Sequence, residues 1–495
     1  MMYENTLVNV MRQNEGMLKW QEQISSGKRV NRPSDDPVSM GEILKFRTRL
    51  DRNDRYQSLG VQAEAFLNTS DALIGDATQL AVRANELALT TANGTASAQT
   101  RRTSAVEIST LIQSAIQIGN STIGSDYIFG GRQTNIAPVT ANGLYAGDHS
   151  QLTAEVNQNV IVNMSVLASE FLTADMNPRL NSATPIAQLN GGTGVAAGAF
   201  TITDRAGGTG TVTVNGGDTV GGVIAAINAS GANVTAGFSA DGMAITITDN
   251  NAAVTGPLTI TDTSGAPAAD LGIAGSRPLS SFTGDDLNPD VTTTTLLSDL
   301  YGGGGLALND IIVRNGAASA TVTFAGATTV ADVLTAINAS PANMTAALNA
   351  NGTAVTITSN NPATVAYAVE TGTGNTAELL GIGGGRNLIP VLQRLEQAML
   401  KNDVSAIVGL IENLNSLVDT TTARRGQVGA RANLVLSTRA SLEQSNFDTQ
   451  SMLANAQDAD MVKAVSELAL LQVAYQATVK SSASIIQPSL LDFLR

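Results

Sequence analysis

The chain has 495 residues, 43% of them hydrophobic but only 4% aromatic, with 47 Gly and a net charge of −14. That charge argues against a nucleic-acid or anionic-membrane binder, and the absence of cysteine excludes disulfides, thiolate metal sites and cysteine nucleophiles. A single histidine, His149, rules out a multi-histidine metal site within one chain and disfavours a Ser-His-Asp triad, so no catalytic, cofactor or metal residue is expected.

Residues 1–25 place Tyr3, Val10, Met17 and Ile24 seven apart, with Leu7, Met11 and Leu18 beside them. This is a heptad stripe, interrupted by Asn14 and Gln21. An isolated helix so sparsely apolar is marginal in water. It needs a partner, and the stripe at 461–485 is the expected one, in its own subunit or the next. No basic start with an apolar run precedes it, so ordinary signals point to a cytoplasmic protein. No window of about 18 apolar residues predicts a membrane span.

The stretch SSGKRVNRPSDDPVSM (25–40) then stops one helix and starts another. Gly27 suits a left-handed residue just past a helix end. Pro33 and Pro37 bar continuation, and Asp36 followed by Pro37 reads as an N-cap and first helical residue. Asp35 lies at the positive end of the new helix dipole. Lys28, Arg29 and Arg32 stand near the Asp pair and can bond within the loop or to a neighbouring subunit.

A helical pattern runs from Val38 to about Leu89 through Ile43, Leu44, Leu50, Leu67, Ile74, Leu80 and Leu87, long enough to suggest a coiled coil or bundle. A loop is expected at 90–99, then a helix over 100–123 through Val106, Leu111, Ala115 and Ile118. LTAEVNQNVIVNMSV (152–166) alternates in part and reads as a hairpin. From 387 the chain is helical again: Met461, Leu468 and Tyr475 keep spacing seven, as do Ala464 and Leu471, until Pro488 ends the pattern.

The middle is poor in charge and contains a repeat. TVTVNGGDTVGGVIAAINAS (211–230) aligns with TVTFAGATTVADVLTAINAS (321–340), and ADGMAITIT (240–248) with ANGTAVTIT (350–358), both at an offset of 110. Each unit reads as strand, short helix and alternating strands, and its size exceeds a solenoid repeat. The expected fold is mixed: an α-helical coiled-coil or bundle core from both termini with a β-hairpin, plus two inserted small α+β repeat domains. The expected segments are 1–138 (N-terminal helical core), 139–172 (hairpin region), 173–290 and 291–385 (the two repeats) and 386–495 (C-terminal helical core).

Several signals carry little. LLGIGGGRNLIPVLQRL (379–395) has Arg386 where a dinucleotide fingerprint needs its third Gly, and YGGGG (301–305) lacks the Gly-Lys-Ser/Thr of a phosphate loop. Asp249, Asp262 and Asp270 do not have calcium-loop spacing. His149, in AGDHSQ, reads as a solvated turn residue.

QISSGKRVNRPSDDP (23–37), NSTIGSDYIFGGRQTNIAPV (120–139) and DADMVKAVSELALLQVAYQATVKSSASIIQPSLLDFL (458–494) resemble the flagellin-like family, over about 1–172 and 387–495. AINAS, at 226–230 and 336–340, is similar to that family's hook "IN" motif. IFGGRQTNIAPV and AYQATVKSSASIIQPSLLDFL look closer to its hook–filament junction members than to filament flagellin. The resemblance implies a non-enzymatic structural part of the bacterial flagellum, built into the junction by head-to-tail helical self-assembly, with filament flagellin the alternative and an adhesin built on the repeats a third reading. It implies as partners the first hook-associated protein, flagellin, copies of the chain itself and an export chaperone, with no nucleic acid or membrane partner. It also implies an extracellular location reached unfolded through type III export without a cleaved signal peptide, which revises the cytoplasmic reading.

The implied assembly interface is Tyr3, Leu7, Val10, Met17, Ile24, Met461, Leu468, Leu471, Tyr475 and Ile485 on the helices. The loop adds Lys28, Arg29, Arg32, Asp35 and Asp36, expected against an axially adjacent subunit. Both termini are expected to order fully only on assembly.

Overall fold

The computed structural model describes residues 2–252 and 254–491, and their side chains except at 2, 3, 5, 6 and 482–491. Helices α1 (Met2–Ser26), α2 (Pro37–Ala92) and α3 (Ala98–Gly119) precede two short hairpins, β1 (Thr122–Ile123) with β2 (Asp126–Tyr127) and β3 (Thr153–Asn157) with β4 (Val160–Asn163). The first repeat holds β5 (Gly198–Thr203), β6 (Thr209–Val214), α4 (Val220–Asn228), β7 (Val234–Phe238), β8 (Ile245–Asp249), β9 (Leu258–Ser264), α5 (Pro267–Asp270), β10 (Gly275–Arg277) and β11 (Ser281–Thr283). The second holds β12 (Ile311–Asn315), β13 (Ala318–Val322), α6 (Val330–Asn338), β14 (Met344–Leu348), β15 (Val355–Ser359), β16 (Ala366–Glu370) and α7 (Thr376–Leu379). Helices α8 (Leu388–Leu400), α9 (Val404–Gln457) and α10 (Met461–Leu491) follow.

Contacts divide the chain into two compact units: residues 1–63, 154–162 and 433–495 in one, 64–153 and 163–432 in the other. Among the described residues no helix is long and apolar enough to cross a membrane. The strand pairs of β1–β2 and of the two repeats are antiparallel.

In the larger unit, Leu67, Ser70, Ile74, Ala77, Ala81, Ala84, Ala88 and Thr91 of α2 are fully buried. Their steps alternate three and four, the coiled-coil seam expected of so long a helix. Alanine dominates it, and Leu80, expected in the stripe, is only half-buried. The N-terminus of α3 is fixed by Ser97, whose side chain accepts from Thr100 N, while buried Arg101 donates to Thr91 O (2.9 Å) and Asn93 O (3.1 Å). The connection is therefore 93–97, shorter than expected.

The buried face of α3 is Ala105, Ile108, Ile112, Ala115 and Ile116; of the expected stripe Ala115 lies on it, Leu111 and Ile118 are half-buried, and Val106 faces solvent. The helix also ends earlier. A Cβ at Gly119 would lie 2.5 Å from Val139 Cγ2, and Asn120 brackets Val139 with two hydrogen bonds, Nδ2 to O (2.7 Å) and N to Oδ1 (2.9 Å). Thr122–Ile123 then turns through Gly124 (φ +63°) into a strand pair that helical periodicity concealed.

The C-terminal segment, expected to be helical with the 461–485 stripe in its last helix, is divided into α8, α9 and α10 by two breaks. Asp403 accepts from Ala406 N (3.1 Å) and Asp460 from Lys463 N (3.0 Å), so each starts a new helix. Pro488 does not end α10, which continues to Leu491.

The 110-residue offset persists in three elements: α4 to α6 (330 − 220), β7 to β14 (344 − 234) and β8 to β15 (355 − 245). Sheets β10-β9-β5-β6 and β11-β8-β7 stand in the first repeat, β13-β12-β16 and β14-β15 in the second. Each repeat encloses its own apolar cluster, around Phe200, Ile202 and Ile247 in one and Val313, Ile337 and Ala368 in the other.

The shared "IN" has a physical reason. Ile227 and Ile337 are fully buried, while Asn228 clasps the Ala236 backbone (Nδ2 to O 3.1 Å, N to Oδ1 2.6 Å) and Asn338 clasps Ala346 in the same way (3.1 and 2.7 Å). The three aspartates dismissed as a calcium loop hold backbone instead: Asp249 accepts from Arg205 N, Asp262 from Ala268 and Ala269 N, and Asp270 from Ala196 N.

His149 is not the solvated turn residue expected. Its side chain is 13% exposed and packs edge-on against Tyr145 at 5.3 Å, because the 145–150 turn folds inward, with Tyr145 Oη donating to Asp148 O (2.6 Å).

Candidate assembly surface

In the smaller unit, the 27–37 loop is a clasp. Gly27 takes φ +69° at the end of α1, as expected, and lets the chain turn onto the end of α9. Arg29 N donates to Gln457 O (2.7 Å), Ala459 N to Gly27 O (3.0 Å), and Lys28 pairs with Asp458 as an antiparallel bridge. The Arg29 guanidinium donates to Ala456 O (2.7 Å), Ser39 Oγ (3.1 Å) and Asp36 (3.2 Å). A cation placed on the last carbonyls of a long helix also complements its dipole.

Asp36 caps α2 as expected, accepting from Ser39 N (3.1 Å) and Ser39 Oγ (2.5 Å). The Ser39 hydroxyl, and then the Ser39 N–H, bring its carboxyl down to about 2. Asp35 Oδ2 accepts from Arg32 N (2.8 Å) and Asn31 N (3.0 Å), which lowers its pKa and closes the turn. Arg32 reaches only Glu22, at 3.1 Å, and both side chains remain largely in solvent.

Helices α1 and α10 pair within one chain and run antiparallel. Gln13 Nε2 donates to Thr478 Oγ1 (3.1 Å), and a Cβ at Gly16 would stand 3.2 Å from Leu471 Cδ1. Of the predicted seam, Val10, Met17, Ile24, Leu468, Leu471 and Tyr475 are half-buried, while Leu7 and Met461 are exposed. The side chains of Tyr3 and Ile485 lie outside the described residues. Ala464 and Gln23 are the most enclosed members of the pair. Small and polar residues thus set its closest approach. Gln13 and Gly16 were missed because a heptad search rewards large apolar residues and passes over the small ones that let backbones approach.

A second apolar row on each helix stays exposed among the described residues. Val8, Met11 and Leu18 (59% exposed) follow one side of α1; Val462 (79%), Val465 and Val473 (67%) follow one side of α10. Val38 on α2 and Phe447 on α9, in the same unit, are also exposed. Contiguous apolar surface of this kind marks an interaction site. The sequence signal existed, since position 462 and its fellows at +3 and +11 are all Val, but a one-seam reading assigned each helix a single buried face.

No group of three His, Asp or Glu side chains among the described residues is spaced to hold a metal ion. The surface offers apolar area, small-residue contacts and backbone clasping: the means of association.

Residues 1–134 match the family model for the bacterial flagellin N-terminal helical region. Flagellar hook-associated protein 3 of Salmonella typhimurium is 29% identical over 159 residues, which is 32% of this chain and 50% of that protein. The flagellin of Listeria innocua is 24% identical over 164 residues, 32% of this chain and 53% of that protein. The chain spans about half the length of these curated relatives. Among solved structures, flagellar hook associated protein-3 from Legionella pneumophila is 13% identical, covering 83% of this chain and 97% of that one at a TM-score of 0.38. The family-model match and the two curated relatives bear out the resemblance to the flagellin-like family read from the N-terminal motifs.

Proposed function

We propose that this chain, which carries the flagellin N-terminal helical region over residues 1–134, is a structural subunit of the bacterial flagellum that forms the hook–filament junction. The uncovered apolar rows of α1 and α10 carry this reading. Each helix of the pair has one side against its partner and one against water, so the pair is half of a larger bundle. Copies of the same pair in adjacent subunits supply the rest. A contact of one face on a different face propagates as a helical array. The first hook-associated protein and flagellin, with their own helical ends, are the partners at the two sides of the collar. The role is non-enzymatic.

The same rows explain why an export chaperone is needed. Before assembly, Val462, Val465 and Val473 in the 461–486 segment expose an apolar face that a helix-binding groove would cover. Passage unfolded to an extracellular site suits a chain without cysteine. Residues 173–290 and 291–385 are two inserted α+β modules, and the exposed 32–35 turn meets the axially adjacent subunit.

The test uses purified hooks capped with the first hook-associated protein. The intact chain binds them as a thin collar and allows added flagellin to grow. Val462→Asp with Val473→Asp abolishes binding and leaves the circular-dichroism melt unchanged, because both positions already face water. Binding by a truncate lacking 1–26 and 461–495 refutes the proposal. The match to a flagellin over the same share of the chain supports one rival, a filament subunit. Seeded growth of long filaments from this chain alone selects that rival.

A further inference from the structure

The two repeats differ at one strand. In the first, β8 is flanked on both sides, by β7 and by β11. Its counterpart 110 residues on, β15, pairs with β14 alone. Residues 391–393, which match β11 at that offset, lie inside α8 instead.

The hydrogen bonds show which groups this leaves open. Successive residues of a strand turn their backbone N–H and C=O to opposite sides. In β8 the groups of Ile245 and Asp249 face the β11 side: Gly284 N donates to Ile245 O (2.8 Å) and Asp249 N to Ser280 O (2.7 Å). Ile247, between them, is opposite Phe282. At the ends of β15, Asn349 N donates to Ala354 O (2.9 Å) and Asn360 N to Asn343 O (3.1 Å), so the even-numbered residues face β14. Val355, Ile357 and Ser359 therefore face the open side. Val355 N donates there to Leu380 O (2.8 Å), but the N–H and C=O of Ile357 and Ser359 have no such partner among the described residues. An unpaired edge of this kind is a template for another strand.

The edge opens onto a cleft of about 280 Å³ between β15 and α8. Its walls include Gln393, Arg394, Gln397 and Lys401 and no acidic side chain, in a chain of net charge −14. Arg394 is nine-tenths buried and donates to Ile382 O (2.9 Å) and Gly381 O (3.2 Å), yet no carboxylate lining the cleft balances it. A buried charge held by carbonyls alone favours an incoming anion. Arg394 stands toward the Val355 end, where Leu380 meets β15. Lys401 stands toward the Ser359 end: its Nζ donates to Thr364 O (2.9 Å), and the Thr364 and Ser359 hydroxyls bond each other (2.9 Å).

We propose that the open edge of β15 is a docking groove for an extended, acidic segment of a partner protein, which joins the sheet as the antiparallel strand that β11 supplies in the first repeat. That repeat gives the pattern. Phe282, opposite Ile247, belongs to the apolar cluster, while the hydroxyls of Ser281 and Thr283 bond those of Thr248 (2.8 Å) and Thr246 (3.1 Å). Thr358 and Thr356 are exposed at the matching places. The incoming segment thus carries an apolar residue opposite Ile357, a hydroxyl on each side of it, and a carboxylate beyond its C-terminal end, toward Arg394.

A peptide with the sequence of residues 280–286, Ser-Ser-Phe-Thr-Gly-Asp-Asp, has this pattern and is the probe, titrated into the full chain. At saturation it slows amide exchange at Ile357 and Ser359 by about tenfold or more and leaves Ile247 unchanged. N-methylation of the peptide's Phe, whose N–H donates to Ile357 O in this register, abolishes binding; N-methylation of its Thr, whose N–H points away, does not. Asn in place of both Asp weakens binding about fivefold, as loss of a half-exposed ion pair does. No protection at Ile357 with millimolar peptide, protection at Ile247 in its place, equal binding by the two N-methylated peptides, or equal affinity for the Asn peptide overturns the proposal. Protection of Ile357 that rises with chain concentration in the absence of peptide gives the edge to a second copy and overturns it as well.

Discussion

Arg29 and Arg32 are three residues apart in one exposed loop, yet the structure assigns them different weights. Arg29→Ala removes a charge-assisted hydrogen bond to Ala456 O (2.7 Å) and the bonds to Ser39 and Asp36. A bond from a cation to a carbonyl is worth about 1.5–3 kcal/mol when enclosed. With the side chain 44% exposed, about 1 kcal/mol is the fitting figure for that bond. A cation at a helix C-terminus adds about 0.3–1 kcal/mol. The sum is roughly 1.3–2 kcal/mol on opening the clasp, or about nine- to thirtyfold. Arg32→Ala loses one solvated pair with Glu22 and should change opening by less than about twofold. The assay is amide exchange at Arg29 and Val30, which donate to Gln457 O, and at Ala459, which donates to Gly27 O. Arg29→Ala accelerates all three together; Arg29→Lys restores part of the protection. Equal acceleration by the two alanine variants would refute the assignment and return both arginines to an intersubunit role.

Gly384→Ala would place a Cβ 2.5 Å from Asn413 O and 2.8 Å from Asn413 Cα, backbone atoms of α9 that cannot swing aside. Overpacking of this kind costs about 1–3 kcal/mol, so the denaturant midpoint of the chain should fall, and an unchanged midpoint would disprove the close approach. Asn338→Ala strands the buried N–H and C=O of Ala346 at a cost of about 1–3 kcal/mol. Asn228→Ala should lose a similar amount at Ala236, and because Ala236 and Ala346 belong to separate apolar clusters, the double variant should show the sum in denaturant unfolding.

Long-range periodicity was legible in the sequence. The α2 seam and the 110-residue repeat both depend on patterns summed over many residues, and there the backbone follows. Local chemistry was equally legible where a residue type permits few alternatives, as with Gly27 at a positive φ and Asp36 before Pro37. Features that depend on a distant neighbour were not. Val139 ends α3 at Gly119, twenty residues away, and leaves Thr122–Ile123 to form a strand. His149 looks like a turn residue until Asp175 and Tyr145 close over it. At the assembly surface the apolar rows were visible as composition. The small-residue seam was not, because Gly16 and Ala464 matter for what they leave room for.

The opposed directions of α1 and α10 bring the N-terminal end of the one and the C-terminal end of the other to the same tip. Combined with the lack of any native thiol, this makes that tip easy to instrument. Asn9→Cys and Lys480→Cys, both at exposed positions, would be the molecule's two dye attachment points. One energy-transfer distance between them would then follow the two helices parting and rejoining during export, chaperone release and docking.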